Sequence, residues 1–308
     1  MRPDPQPDIG AGLVPGSMLP GHEDRLVNAD TSKHNVPEDV FCYSRPDLWQ
    51  DRIWHLMGDY LTEEVKSAFL ADLPEFVVSD DLSWLDDVIE EVTGERPNIK
   101  METADRLMGE YRAFRMYHAT RTNDLSSYYQ NGLRFLSNID IEDRARSFFM
   151  NGTHPQVTEE TLSNAIQELN SGSFTYRSDL TPSVYCCADA RDFTTTSGGC
   201  GHYLDFGSEY LYNLGIRLIG PHRAQEVLRS HGSPTIFVID VPMDLIRQST
   251  ITEFAGSILE YMFCSLSDEL EAYSLSPGSG SGVILREAIT AEAFVGHFHP
   301  EEFPHHLT

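Results

Sequence analysis

Phe114-Arg115-Met116-Tyr117-His118-Ala119-Thr120 reads as a strand that carries a histidine at its end. Asn123-Asp124-Leu125 then caps a helix running to about Asn131, and Gly132 fits its C-terminal stop. Two later segments share the character of the first: Ser183-Val184-Tyr185-Cys186-Cys187 and Gly282-Val283-Ile284-Leu285-Arg286-Glu287. Each sets one chemically useful side chain inside a run that otherwise looks like core. Thr235 to Val241 is a strong strand, with Ile236, Phe237, Val238, Ile239 and Val241. Between the strands, helices are predicted over 158–170, with Leu162, Ala165, Ile166 and Leu169 on one face, and over 210–218 and 222–230. Short strands among short helices, without regular βαβ alternation or an internal repeat, predict an α+β fold with an antiparallel or split sheet.

The N-terminal third has a different texture. Residues 1–38 are rich in Pro, Gly, Asp and Asn without apolar periodicity and read as a flexible leader. Residues 39–111 read as a helical region. Leu48, Trp49, Ile53, Trp54, Met57, Tyr60 and Leu61 recur at helical spacing after Arg45-Pro46-Asp47. Further helices are predicted at about 62–72 and 80–93, the second with Trp84, Leu85, Val88 and Ile89 as its apolar stripe. Tryptophans on short amphipathic helices act as core or interface anchors. The remainder, 112–308, reads as the functional domain, with a mobile loop at 268–282 around Ser276-Pro277-Gly278-Ser279-Gly280-Ser281-Gly282.

Composition narrows the chemistry. The chain has 308 residues, 48 acids against 22 bases and a formal net charge of −26. Such a surface repels phosphate backbones, so nucleic acid is a less expected partner than protein, and basic proteins are allowed. No apolar run approaches the roughly 18 residues that a membrane span needs, and the N-terminus has no signal-like hydrophobic core, so no membrane association is expected. Five cysteines without framework spacing favour a reducing compartment, and the expectation is cytoplasmic. Adjacent Cys186 and Cys187 on a strand point to opposite faces, which suits two buried thiols better than a bridge. Nucleophile-elbow, phosphate-loop and dinucleotide-fold motifs are absent. Cys187, Cys200, His202 and His222 lack a paired Cys-x-x-Cys element, so no metal is expected.

The three marked residues each have a structural and a chemical reading. His118 at a strand end can hold a ribose hydroxyl or exchange a proton, or donate a structural hydrogen bond. Tyr185 can stack on a planar heterocycle or fill core. Glu287 closes a Gly-rich loop and an apolar strand. It is either an exposed or salt-bridged strand end, or a carboxylate placed to stabilise an oxocarbenium-like cation.

Taken in order, the segments resemble the ADP-ribosyltransferase superfamily in its diphtheria-toxin and poly-ADP-ribose-polymerase-like, His-Tyr-Glu branch. Tyr117-His118-Ala119-Thr120 with Asn131-Gly132-Leu133 is similar to the first motif, Ser183-Val184-Tyr185 with Ala188-Asp189 to the tyrosine motif, and Gly282 to Glu287 with Ile289 and Glu292 to the glutamate strand and its tail. The resemblance covers about residues 112–298. It implies a split antiparallel sheet, NAD as co-substrate, and transfer of ADP-ribose to an acceptor, more readily protein than nucleic acid, by a toxin, effector or defence protein. It also implies roles: His118 holds the NAD ribose, Thr120 supports the nicotinamide side with Ala119 beside it in the cofactor site, Tyr185 stacks on nicotinamide, and Glu287 orients the ribose and stabilises the transition state. Where the branch often has a second stacking tyrosine soon after the first, the next here are Tyr203 and Tyr210. Leu285 two positions before Glu287 departs from the arginine-modifying signature, and Ala291 stands where the tail frequently has proline. NAD glycohydrolysis and a non-catalytic acidic partner-binding module are the alternatives.

Overall fold

Trp49, Ile53 and Met57 recur every fourth residue and are almost wholly buried, and the same apolar stripe logic builds the whole N-terminal region. The computed structural model describes residues 13–14, 35–135, 138–171, 183–195, 199–270, 272, 275, 280–300 and 303. Helices α1 (Pro46–Leu56), α2 (Glu63–Ala71), α3 (Ser83–Thr93) and α4 (Ile99–Glu110) precede the central strand. The last of these was not predicted. Its buried residues, Ile99, Thr103, Ala104 and Leu107, include a threonine and an alanine that blur the apolar stripe. Most of the predicted leader lies outside the described residues, but Leu13–Val14 forms a short strand, β1, rather than coil.

Strand β2 (Val40–Phe41) runs parallel to β3 (Ala113–Thr122). Helix α5 (Leu125–Asn131) follows β3, capped by the Asp124 side chain and ended by Gly132 at φ 71°. Gly132 is required twice over, because a Cβ there would also collide with the Ile289 carbonyl. Next come α6 (Asn138–Phe149) and α7 (Glu159–Ser171), β4 (Val184–Cys187), the short helices α8 (Arg191–Thr194) and α9 (His202–Phe206), then α10 (Glu209–Ile219) and α11 (Pro221–Arg229). The chain ends in β5 (Ser233–Pro242), α12 (Gln248–Cys264), β6 (Gly282–Leu285) and β7 (Phe294–Phe298). Helices α6 and α12 and strand β7 are additions to the sequence reading.

The fold is α+β. All seven strands described join one open sheet in the order β1-β7-β5-β3-β4-β6, antiparallel along that path, with β2 beside β3. Its joints are unequal. Strands β3 and β5 pair at ten positions from Ala113↔Pro242 to Thr122↔Ser233, whereas β3 and β4 pair only at Tyr117↔Cys187. The split expected from sequence is therefore a thin seam between β3 and β4 rather than a gap.

Helices bury both sheet faces. Phe114, Met116, Ile239, Val241, Val184, Cys186, Val283 and Leu285 form one cluster with Trp49, Ile53, Phe69 and the α12 residues Ile258, Leu259 and Phe263. The helical region and the sheet thus share a single apolar core. On the other face a smaller cluster joins Ala119, Cys187, Ile236 and Val238 to Phe193 and Leu204. Cys186 and Cys187 fall in different clusters, as strand alternation requires.

Candidate functional site

The three motif segments lie on β3, β4 and the β6 exit, and these strands are consecutive neighbours in the sheet. His118 reaches across the seam. Its Nδ1 lies 2.8 Å from the Tyr185 carbonyl oxygen. A carbonyl only accepts, so Nδ1 carries the proton and the neutral ring presents Nε2 as an acceptor. Burial lowers the pKa of His118, partly opposed by this hydrogen bond, and favours the neutral form. Alternation along β3 sends the His118 side chain to the face opposite Tyr117 and Ala119, so it meets the backbone of Tyr185 and not the ring.

The Tyr185 ring lies on the face of Cys187 and stacks on Tyr203, with centroids 5.4 Å apart and planes at 23°. Tyr203 comes from α9, eighteen residues after Tyr185 in sequence. Tyr210 goes elsewhere and packs against the cluster of Phe149, Leu211 and Leu214. The Tyr185 hydroxyl sits 3.1 Å from Cys200 Sγ and 3.8 Å from Cys187 Sγ, and the two sulfurs are 3.9 Å apart. Burial raises the Tyr185 pKa, reinforced by Cys187, so the phenol keeps its proton. Hydrogen bonding from Cys187 lowers the Cys200 pKa to about 7, and the same bond raises that of Cys187.

Ala119 is buried beside Cys187 and Val238. The Thr120 hydroxyl donates to the Gly207 carbonyl at 3.5 Å, which ties the end of β3 to the segment after α9. Arg121 strengthens that tie, donating to the carbonyls of Leu204, Arg229 and Gly232 at 2.7–2.9 Å. Glu287 is not drawn in with the others. Strand β6 ends at Leu285, and Glu287 lies beyond its pairing with β4, exposed in a bend.

A polar clamp that the sequence reading missed fixes the start of β6. The buried Asp192 carboxylate accepts from the Ser281 backbone N–H at 2.7 Å and from its hydroxyl at 2.6 Å. The Ser281 hydroxyl oxygen in turn accepts the Asp189 N–H at 2.9 Å. Asp189 is paired with Arg191, whose Nε donates to it at 2.7 Å. The available signal was the charge-dense run Asp189-Ala190-Arg191-Asp192 directly after an apolar strand. Of the four possible metal-ligating residues, Cys187 and Cys200 meet, while His202 Nδ1 lies 3.1 Å from the Gly199 carbonyl. No group of three or more His, Cys, Asp or Glu side chains suited to a metal ion occurs among the described residues. Nor is any described helix long and apolar enough to cross a membrane.

Comparison with protein-family models, with curated proteins and with solved structures finds no match.

Proposed function

We propose that the chain is an NAD-dependent ADP-ribosyltransferase of the His-Tyr-Glu type, acting as a toxin, effector or defence protein on a protein acceptor. The observation that carries this reading is the adjacency of the three motif strands. Segments separated by 67 residues at His118 and Tyr185 touch across one seam, and the glutamate motif leaves the next strand. His118 Nε2 would accept a ribose hydroxyl on one face of the seam. Ala119 and the Tyr185–Tyr203 pair would line the nicotinamide side on the other, with Thr120 near the strand end, so NAD would reach both by passing around the strand ends.

In the reaction, the bond between ribose C1′ and the nicotinamide nitrogen breaks and its electron pair neutralises the pyridinium. The ribose passes through an oxocarbenium-like state that the Glu287 carboxylate would stabilise. An acceptor nucleophile then bonds to C1′ and releases a proton. Water in that role gives NAD glycohydrolysis. The test is nicotinamide release from NAD by the full chain. Release is expected, with a loss of about a hundredfold or more in Glu287→Ala. No release, or release unchanged in the variant, overturns the reading.

The exposed position of Glu287 beyond β6 favours one second reading, a non-catalytic module whose acidic surface docks a basic protein. Capture of a basic protein without any NAD heat in calorimetry would select it.

A further inference from the structure

The two thiols beside Tyr185 have no part in the proposed transfer. Cys187 is fully buried in β4, and Cys200 is half-buried on the connection between α8 and α9. Their sulfurs stand 3.9 Å apart, and a disulfide requires about 2 Å. Cys187 is fixed in the ladder opposite Tyr117 and Gly282. Cys200 is outside it, so Cys200 is the sulfur that moves. Two contacts link that movement to the aromatic pair: the Tyr185 hydroxyl lies 3.1 Å from Cys200 Sγ, and the Tyr203 N–H donates to the Cys200 carbonyl at 3.1 Å.

We propose that Cys187 and Cys200 are a peroxide-sensitive dithiol whose closure to a disulfide breaks the Tyr185–Cys200 contact and shifts the stacked Tyr185–Tyr203 pair. Cys200 is the attacking group, since it is the more accessible sulfur and its pKa of about 7 leaves about half of it ionised at neutral pH. Its thiolate attacks one peroxide oxygen and expels hydroxide, which takes up a proton to become water, leaving Cys200 as a sulfenic acid. The Cys187 sulfur then attacks the Cys200 sulfur, the S–S bond forms, and the second oxygen leaves as water. Two thiols lose two electrons and two protons, and one peroxide becomes two waters. A thiol reductant reverses the step.

The dithiol stands apart from the NAD reading, and only its effect on NAD binding rests on that reading. The experiment treats the reduced full chain with hydrogen peroxide and follows it by peptide mapping and near-ultraviolet circular dichroism. Expected are a Cys187–Cys200 linked peptide and a changed tyrosine signal, both reversed by dithiothreitol, with the signal of Cys200→Ser unaffected by peroxide. Mapping the unmodified chain keeps the test decisive even if a Cys187 variant fails to fold. Sulfinic acid on Cys200 beside an intact Cys187 thiol overturns the proposal, as does a disulfide that leaves the tyrosine signal unchanged. NAD calorimetry on both forms separates the two ideas. A drop in affinity of about tenfold or more on oxidation supports the switch. Absence of NAD binding in the reduced form counts against ADP-ribosyl transfer and leaves the disulfide result standing.

Discussion

Gly282 opens β6 directly opposite Cys187, and a Cβ there would collide with the Tyr185 hydroxyl. The glycine therefore sets where the phenol can sit, and through it the state of Cys200. Gly282→Ala would push the hydroxyl off the sulfur and remove an O–H donor that holds the Cys200 pKa down. At pH 7 a thiol of pKa about 7 is half ionised, while an unperturbed one at about 8.5 is only a few per cent ionised. Iodoacetamide should thus alkylate Cys200 more slowly in the variant at pH 7, by less than the roughly tenfold that losing the whole shift would give, because the larger Cys187 contribution remains. The difference should vanish above about pH 9.5, where Cys200 is ionised in both proteins. His118 works by an equally local rule. The Tyr185 carbonyl fixes its tautomer, so a hydroxyl donor finds an acceptor at Nε2 whenever the ring is neutral.

At the level of elements, α12 supplies a large share of the core although the sequence did not single it out. Ile251, Phe254, Ala255, Ile258, Leu259, Met262 and Phe263 are buried along it, and they join the N-terminal helices to the sheet. Leu259→Ala would leave a cavity in that shared core, at a cost of about 2–5 kcal/mol. Urea unfolding should show a lower midpoint with an unchanged slope. The same burial explains why α12 escaped the sequence reading. A helix apolar on most sides has no stripe to mark it, while α3 and α11, with one polar and one apolar face, were legible within a few residues. Strand β7 was missed because Gly296 and His297 interrupt its apolar run, although His297 is fully buried. Among site residues, His118 and Tyr185 stood out because each interrupts an apolar strand, and Glu287 because it follows one. The Cys187–Cys200 pair and the Asp192–Ser281 clamp did not, since their partners meet only through tertiary packing.

For the molecule as a whole, charge and pairing pull in different directions. A net charge of −26 on 308 residues makes the compact state repel itself, and acidic side chains such as Glu90 and Glu91 near the end of α3 and Glu95 just beyond it are exposed. Buried pairs such as Arg115–Asp240, at 2.8 Å, are shielded from solvent ions. Added sodium chloride should therefore raise the melting temperature as the screening length falls from about 30 Å at 0.01 M to about 3 Å at 1 M. A melting temperature that stays flat or drops over that range would show that surface repulsion contributes little.

The seam between β3 and β4 gives the sheet two unequal leaves. On one side, β3 and β5 share ten paired positions; on the other, β4 and β6 share four and are joined to the rest by one ladder pair. Few backbone hydrogen bonds hold the smaller leaf at the seam, and the burial of Val184, Cys186, Val283 and Leu285 in the shared core is what keeps it shut. Hydrogen–deuterium exchange should find the amides of β6, an edge strand, less protected than those of β5, which is paired on both sides. Tyr185 and Cys187 belong to that leaf and Cys200 rests against it, so any opening of the seam would carry the dithiol with it.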